Sequence, residues 1–170
     1  MDVFTALQTR RSIRKYDSKP VEDEKLNKVL EAARLSPSAK NAQQWKIIVV
    51  KDSGTRAELA KATNGYLFIG QAPIIIAACG TDPDSVMSCG QYRHSVDLSI
   101  ATAYMILEAH ELGLGTCWIG GFNEKEVKRI LSVPENVRVV ALTPLGYPAE
   151  NPGQRPRKAL EEIVCYEKYI

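Results

Sequence analysis

The feature that most restricts the fold is the stretch from Gln91 to Leu112, which predicts one long helix with apolar residues around most of its circumference. One apolar stripe consists of Val96, Ile100, Ala103 and Leu107. A second stripe consists of Leu98, Ala101, Met105, Ala109 and Leu112. Both stripes must be covered, so the helix is either buried in the middle of the fold or packed against a second copy of the chain. We favour a dimer interface.

The rest of the pattern predicts a single α+β domain over residues 1–170, with helices covering a sheet of about four or five strands. Further helices are expected from the cap Asp2 through Leu7, and at Asp23 to Leu35, Thr55 to Ala62 and Asn123 to Leu131. Strands are expected at Trp45 to Lys51, Pro73 to Cys79 and Val137 to Leu142. An extended C-terminal tail, able to wrap around a neighbour, is predicted by Pro148, Pro152 and Pro156.

Charge and hydropathy argue against two classes of partner. The 22 Lys and Arg residues and 20 Asp and Glu residues give a net charge of +2, too small for wholesale binding of nucleic acid or an anionic membrane. The longest uncharged stretch, residues 62–81, is interrupted by glycine and proline and does not predict a membrane span. Because no basic leader precedes an apolar segment, we expect a cytoplasmic protein.

Common compact catalytic and metal-binding motifs are missing from the sequence. The four cysteines, at 79, 89, 117 and 165, lack zinc-ligand spacing and are expected to be reduced. His94 and His110 lie about 160° apart around one predicted helix, so they cannot bind one metal ion together. No GxGxxG after a strand, Walker A lysine, GxSxG or HExxH occurs. If the chain is an enzyme, an organic cofactor is therefore expected to carry the chemistry.

Two cationic clusters stand near opposite ends of the chain. The first consists of Arg10, Arg11, Arg14 and Lys15 around the hydroxyl of Ser12. The second consists of Arg155, Arg157 and Lys158. Guanidinium groups can bind phosphate oxygens in pairs while neutralising their charge, so both clusters could converge on one phosphate monoester. Solvated surface charge is the alternative for each cluster.

Two other segments could border a flat ligand. The loop of residues 37–44 offers amide and hydroxyl groups that can read the edge of a heterocycle, although an ordinary polar turn has the same composition. Close approach of the backbone to a ligand or to a packed neighbour is indicated by Gly113, Gly115, Gly120 and Gly121.

Taken together, these segments resemble the FMN-dependent nitroreductase family. The resemblance is carried by RRSIRKY, SPSAKNAQQW, DLSIATAYMILEAHELGLGTCWIGGF and LGYPAENPGQRPRKALEEIV, in this order and spacing over nearly the whole chain. It implies a mostly antiparallel sheet, a homodimer with a buried interface helix, a tail that wraps around the partner, and two FMN sites built from both subunits.

The resemblance also implies roles for individual residues. The phosphate and ribityl of a tightly bound, non-covalent FMN would be held by Arg10, Arg11, Ser12, Arg155 and Arg157. Arg14 would approach the pyrimidine edge of the flavin. The partner subunit would border the ring with Pro37, Ser38, Ala39, Asn41 and Gln44. A backbone N–H near flavin N5 would come from the turn of Ile119, Gly120 and Gly121.

The implied activity is a ping-pong oxidoreductase in which NAD(P)H reduces FMN and a nitroaromatic, quinone or similar acceptor reoxidises it. No catalytic side chain is required, because the flavin carries the chemistry. Other flavin reactions on this fold remain alternatives: reductive dehalogenation, flavin destruction and heterocycle dehydrogenation. A flavin-binding redox protein without enzymatic activity is a further alternative. Nucleic acid is an unfavoured ligand, because no aromatic residues that could stack on bases are interleaved with the basic clusters.

Overall fold

The computed structural model describes residues 1–169 and contains, in this part of the chain, five α-helices and a four-stranded sheet. The helices are α1 (Val3–Thr9), α2 (Asp23–Arg34), α3 (Ser53–Lys61), α4 (Arg93–Glu111) and α5 (Glu124–Leu131). The strands are β1 (Trp45–Val50), β2 (Ile74–Gly80), β3 (Gly115–Thr116) and β4 (Arg138–Gly146). Short 3-10 turns lie at Ala39–Asn41, Leu67–Gln71 and Leu160–Glu162. The predicted α+β class and its antiparallel sheet are confirmed.

The sheet separates two apolar cores. Its strand order is β1-β2-β4-β3, and all three neighbouring pairs are antiparallel. Every residue of the central strand β2 is buried. Because side chains alternate across a strand, Ile75 and Ala77 join the core under α3 and α5, whereas Ile74 and Ile76 join the core under α2 and α4. The uninterrupted apolar run of β2 follows from this burial on both faces.

Side-chain caps explain where several helices begin. The Asp2 carboxylate accepts the N–H of Thr5 at 3.0 Å, and the Asp52 carboxylate accepts the N–H of Thr55 at 2.7 Å. The side chain of Asn123 caps α5 in the same way. These contacts satisfy backbone donors that the first helical turn leaves unpaired. The predicted helices therefore begin within a few residues of their observed starts.

Strand β4 is longer than predicted, because it continues past Leu142 through Pro144 to Gly146. Proline lacks the N–H that a ladder uses, so it is expected only where pairing is interrupted. On the β3 side, β4 pairs at Leu145 and Gly146 and again at Leu142, which bridges Ile119. Pro144 thus lies in a gap of this ladder, and the strand tolerates it.

Helix α4 is covered on only one of its two apolar stripes. Leu98, Ala101, Met105 and Ala109 are at most 1% exposed, and the last three belong to the core that α4 shares with α2 and the sheet. Along the other stripe, Ala103 is exposed, and Val96, Ile100 and Leu107 are only half-buried. The chain therefore leaves the second stripe open and does not bury the helix in the middle of its own fold.

His94 and His110 both lie on α4, as predicted. Within residues 1–169, no cluster of three or more His, Cys, Asp or Glu side chains is placed to hold a metal ion. No helix in that part of the chain has the length and apolarity needed to cross a bilayer.

Candidate functional site

The two cationic clusters meet in one cleft of about 320 Å³. The residues that follow α1 contribute one wall, and the C-terminal tail contributes the other. The lining residues include Arg10, Arg11, Ser12, Arg14, Arg155 and Arg157. More than 140 residues of sequence separate Arg14 from Arg155, the nearest arginines of the two walls, so only the tertiary fold brings the clusters together.

The arginines of this cleft are not neutralised by the protein. Within the described residues 1–169, none of the five guanidinium groups forms an ion pair with a carboxylate. Arg11 donates to the carbonyl oxygens of Gln8 and Arg10, each at 2.8 Å. Unpaired guanidinium groups around a hydroxyl group are suited to binding an anion with several acceptor oxygens, such as a phosphate.

The segment that carries the first cluster is anchored to the sheet. Helix α1 ends at Thr9, and Arg10 leaves it in an extended conformation. Ile13 is buried at 6% exposure, and its N–H donates to the carbonyl oxygen of Thr116 at 2.9 Å. The hydroxyl of Tyr16 donates to the carbonyl oxygen of Ile13 at 2.6 Å. Alternate residues of an extended segment point in opposite directions, so burying Ile13 directs Ser12 and Arg14 outward.

A second, mostly apolar cleft of about 350 Å³ adjoins the first. It shares Leu7, Arg10 and Ser12 with the cationic cleft. Its other lining residues come from α4 and from β3 with the chain that follows it: Ser99, Ala103, Ile106, Leu107, Thr116, Cys117 and Trp118. The two clefts together fit a ligand with a phosphate at one end and a flat apolar body, which is the chemistry of FMN.

The positive charge of the first cluster reaches titratable groups around it. Burial raises the pKa of the Cys117 thiol, while the charges of Arg14 and Arg10 act to lower it. Burial lowers the pKa of His110, and the charges of Arg10 and Arg11 lower it further. Arg10 thus contributes positive charge near both groups.

The predicted amide loop lies away from the cationic cleft within one chain. The N–H of Ala39 donates to Asp97 on α4 at 3.1 Å, and the side-chain oxygen of Gln44 accepts from Arg93 at 3.2 Å. Neither cleft described above is lined by Pro37, Ser38, Ala39, Asn41 or Gln44. Lys40, Asn41 and Gln43 have φ values of 57°, 54° and 51°, so the loop is held in a conformation that non-glycine residues rarely adopt.

The glycine turn after β3 presents two backbone donors. Ile119 is 3% exposed, and its N–H donates to the carbonyl oxygen of Leu142 at 2.9 Å, so that donor is already used. Among residues 1–169, no backbone carbonyl accepts from the N–H of Gly120 or Gly121. A Cβ at Gly121 would lie 2.9 Å from a ring carbon of Tyr66, so a larger residue there would require the exposed Tyr66 ring to shift. The two glycines are the candidates for a donor to a ligand.

Sequence reasoning missed several residues of the second cleft. Trp118 and Cys117 stand next to the predicted turn, and Ser99, Ile106 and Leu107 lie on α4. The open apolar stripe of α4 was the available signal, since it marked a helix face that needs a cover. Nothing local marked Cys117, because a single cysteine between Thr116 and Trp118 has no periodicity of its own.

Comparison with known proteins agrees with this geometry. The sequence matches the nitroreductase family over residues 7–78 and 64–147. It is 30% identical, over 197 aligned positions, to an NADH dehydrogenase of Thermus thermophilus, and the match covers 98% of this chain and 96% of that protein.

Two solved structures of Clostridium difficile proteins have the same fold. A nitroreductase family protein of strain 630 is 35% identical, with a TM-score of 0.88 over 99% of this chain and 100% of that one. An FMN-dependent nitroreductase of strain R20291 is 31% identical, with a TM-score of 0.86 over 98% and 100% of the two chains. On the family match and these identities, the chain belongs to the nitroreductase family.

Proposed function

We propose that the protein is an FMN-dependent NAD(P)H oxidoreductase that reduces a nitroaromatic, quinone or similar acceptor and works as a homodimer in the cytoplasm. The observation that carries the proposal is the meeting of five unpaired arginines, from both ends of the chain, beside an apolar cleft. The names of two relatives, an FMN-dependent nitroreductase and an NADH dehydrogenase, support the choice of cofactor and of electron donor.

In this proposal the cationic cleft holds the phosphate. Arg10, Arg11 and Ser12 bind it from one wall, and Arg155 and Arg157 bind it from the other. Arginine is suited to this role because its planar fork donates two parallel hydrogen bonds to one anion. The anchoring of Ile13 beneath the segment keeps these donors in place before the ligand arrives, which lowers the entropy lost on binding.

The second cleft holds the flavin ring against Trp118 and the open stripe of α4. When bound, FMN accepts a hydride from NAD(P)H and passes the electrons to the acceptor. Arg14, which lines the adjoining cationic cleft, would approach the pyrimidine end of the ring, where a cation can stabilise negative charge. A backbone N–H of Gly120 or Gly121 would donate toward N5. No side chain of the protein has to transfer a proton, so we assign no catalytic residue.

A second subunit completes the site. Three surfaces support this part of the proposal: the half-open stripe of α4, an apolar groove of about 630 Å³ between α1, α2 and α4, and a tail whose residues 153–169 are exposed. The loop of residues 37–44 does not reach the clefts of its own chain. In a dimer it can reach the partner's clefts, where Ser38, Asn41 and Gln44 border the ring.

The proposal is tested by the absorbance spectrum and by titration. The purified protein should show a flavin spectrum, bleach when NADH or NADPH is added without oxygen, and recover its colour when a nitroaromatic or quinone is added. A protein that binds FMN but neither bleaches nor turns over with any of these acceptors would favour the alternative flavin reactions. Failure to bind FMN in titration would refute the proposal.

Two arginine variants test the phosphate site. Removing one charge-assisted hydrogen bond costs about 1.5–3 kcal/mol, so Arg10→Gln and Arg155→Gln should each weaken FMN binding roughly 10- to 100-fold. Arg129→Gln is the matched control, because Arg129 is exposed on α5 and lines neither cleft. Equal FMN affinity in all three variants would contradict the assignment.

A further inference from the structure

Glu150 lies at the junction between the two halves of the cationic cleft. It follows β4 and precedes the tail that carries Arg155 and Arg157. Its carboxylate oxygen Oε1 accepts the N–H of Arg14 at 2.5 Å and the N–H of Lys15 at 3.2 Å. One side-chain oxygen thus binds two consecutive backbone donors of the segment that carries the first cluster.

These contacts extend a short antiparallel ladder. The N–H of Asp17 donates to the carbonyl oxygen of Tyr147, and the N–H of Ala149 donates to the carbonyl oxygen of Lys15, each at 2.9 Å. At the next step along the ladder, the acceptor is the side chain of Glu150. The main chain is free to turn there toward Pro152, which lines the cationic cleft. The carboxylate therefore continues the pairing at the point where the backbone leaves it.

The Glu150 carboxylate contacts backbone amides and not the guanidinium groups of the cationic cleft. Glu150 lines a smaller cavity that Arg10 and Arg11 also line, and it does not line the cationic cleft. Within residues 1–169 its carboxylate forms no ion pair with an arginine of the cleft. It accepts from backbone amides instead, so it occupies none of the guanidinium donors of the cleft. A carboxylate in the cleft itself would have repelled a phosphate.

We propose that Glu150 is a positioning residue for the phosphate site. It holds the backbone of Arg14 and Lys15 through an oxygen acceptor and joins that backbone to the start of the tail, so that the two arginine clusters face each other. This inference rests on the proposed function, because the phosphate is that of FMN. The acceptor oxygen, rather than the negative charge, carries the role.

The experiment compares FMN with riboflavin, which has the same ring and no phosphate. Both are titrated into the wild type, Glu150→Ala and Glu150→Gln, with flavin fluorescence as the readout. Losing the acceptor for two N–H groups should weaken FMN binding by about 10- to 100-fold in Glu150→Ala, at about 1.4 kcal/mol for each factor of ten. Riboflavin affinity should stay unchanged. Glu150→Gln keeps an amide oxygen as the acceptor, so its FMN affinity should stay within about threefold of the wild type.

Matched controls are Glu24→Ala and Glu24→Gln, since Glu24 is an exposed acidic residue in the first turn of α2 and lines neither cleft. The ratio of FMN to riboflavin affinity decides the result. An unchanged ratio in Glu150→Ala, whether both affinities persist or both fall equally, overturns the inference. So does Glu150→Gln if it binds FMN as weakly as Glu150→Ala. If the wild type binds neither flavin, the proposed function itself is refuted. If the wild type prefers FMN and Glu150→Ala keeps the same preference, only the role of Glu150 is refuted.

Discussion

Replacing Gly115 by alanine tests the packing that holds the cationic segment on the sheet. A Cβ at Gly115 would lie 2.7 Å from Cγ1 of Ile13, 2.9 Å from its Cβ and 3.0 Å from its Cγ2. Carbon atoms pack best about 3.5–4.0 Å apart, so Ile13 has to move by roughly 0.5–1 Å. It cannot do so alone, because it is 6% exposed and its N–H is bonded to Thr116.

The expected loss follows from this overlap. Overpacking of a buried site costs about 1–3 kcal/mol. For a chain of this size each kcal/mol lowers Tm by about 2–4 °C, so Tm should fall by roughly 2–12 °C. Because Ser12 and Arg14 flank Ile13, FMN binding should weaken as well. The stability is measured by urea unfolding and by thermal melting of the protein without cofactor.

A double-mutant cycle isolates the contact. Ile13→Ala alone should cost about 2–5 kcal/mol through the cavity that it leaves. In combination with Gly115→Ala it should cost at least about 1 kcal/mol less than the sum, because the new methyl group fills part of that cavity. Gly54→Ala is the control, since its Cβ has no contact under 3.4 Å and alanine favours the helix. Additivity within about 0.5 kcal/mol, or an unchanged Tm in Gly115→Ala, would refute the reasoning.

Further predictions concern three other parts of the fold. The hydroxyl of Tyr147 donates to Glu22 at 2.6 Å and lowers the pKa of that carboxylate to about 2. The lowered pKa stabilises the folded state above the usual pKa of 4.5, and this contribution is lost as the pH falls toward 2. Between these two pH values the free energy of unfolding should therefore fall less in Tyr147→Phe than in the wild type. Burial raises the pKa of Cys79 to about 11, so its contribution to stability should be lost as the pH rises from 9 toward 11. Alkylation near neutral pH, followed by mass spectrometry, should modify the exposed Cys89 well before Cys79, and equal rates would contradict this burial. Lys128 is 8% exposed, its two ion pairs are long, at 3.9 Å, and its ammonium donates to the carbonyl oxygen of Glu135 at 2.9 Å. Lys128→Met and Lys128→Ala both lose that hydrogen bond, but only methionine fills the space of the buried stem, so urea unfolding should show Lys128→Ala to be less stable than Lys128→Met by about 1 kcal/mol or more.

Local signals predicted most helices and strands, because they depend on neighbours in the sequence. Asp2 and Asn123 cap helices through contacts three residues away, and the apolar run of β2 needs only burial on both faces. The end of β4 was predicted too early, because Pro144 is a strand breaker by its own chemistry. Whether a ladder has a gap opposite that proline depends on β3, a strand of two residues with no periodicity to recognise.

Only part of the candidate site could be predicted from the sequence. Arg10, Arg11 and Arg155 were predicted to bind a phosphate because the charge and geometry that suit it belong to the arginine side chain itself. The role of Glu150 could not be predicted from the sequence. An acidic residue near a phosphate site is unfavourable by its charge, and only the structure shows the two backbone donors that Glu150 binds.

The sequence by itself determined the elements, the two cationic clusters and a long helix with more apolar surface than one neighbour can cover. Each of these follows from side-chain chemistry and from contacts that span a few residues. Only the tertiary structure decided that the clusters line one cleft, that one stripe of α4 stays open, and that Arg14 and Lys15 are held by Glu150. The contacts of Glu150 join residues more than 130 positions apart in the sequence. They are set by the packing of the whole sheet rather than by any local preference.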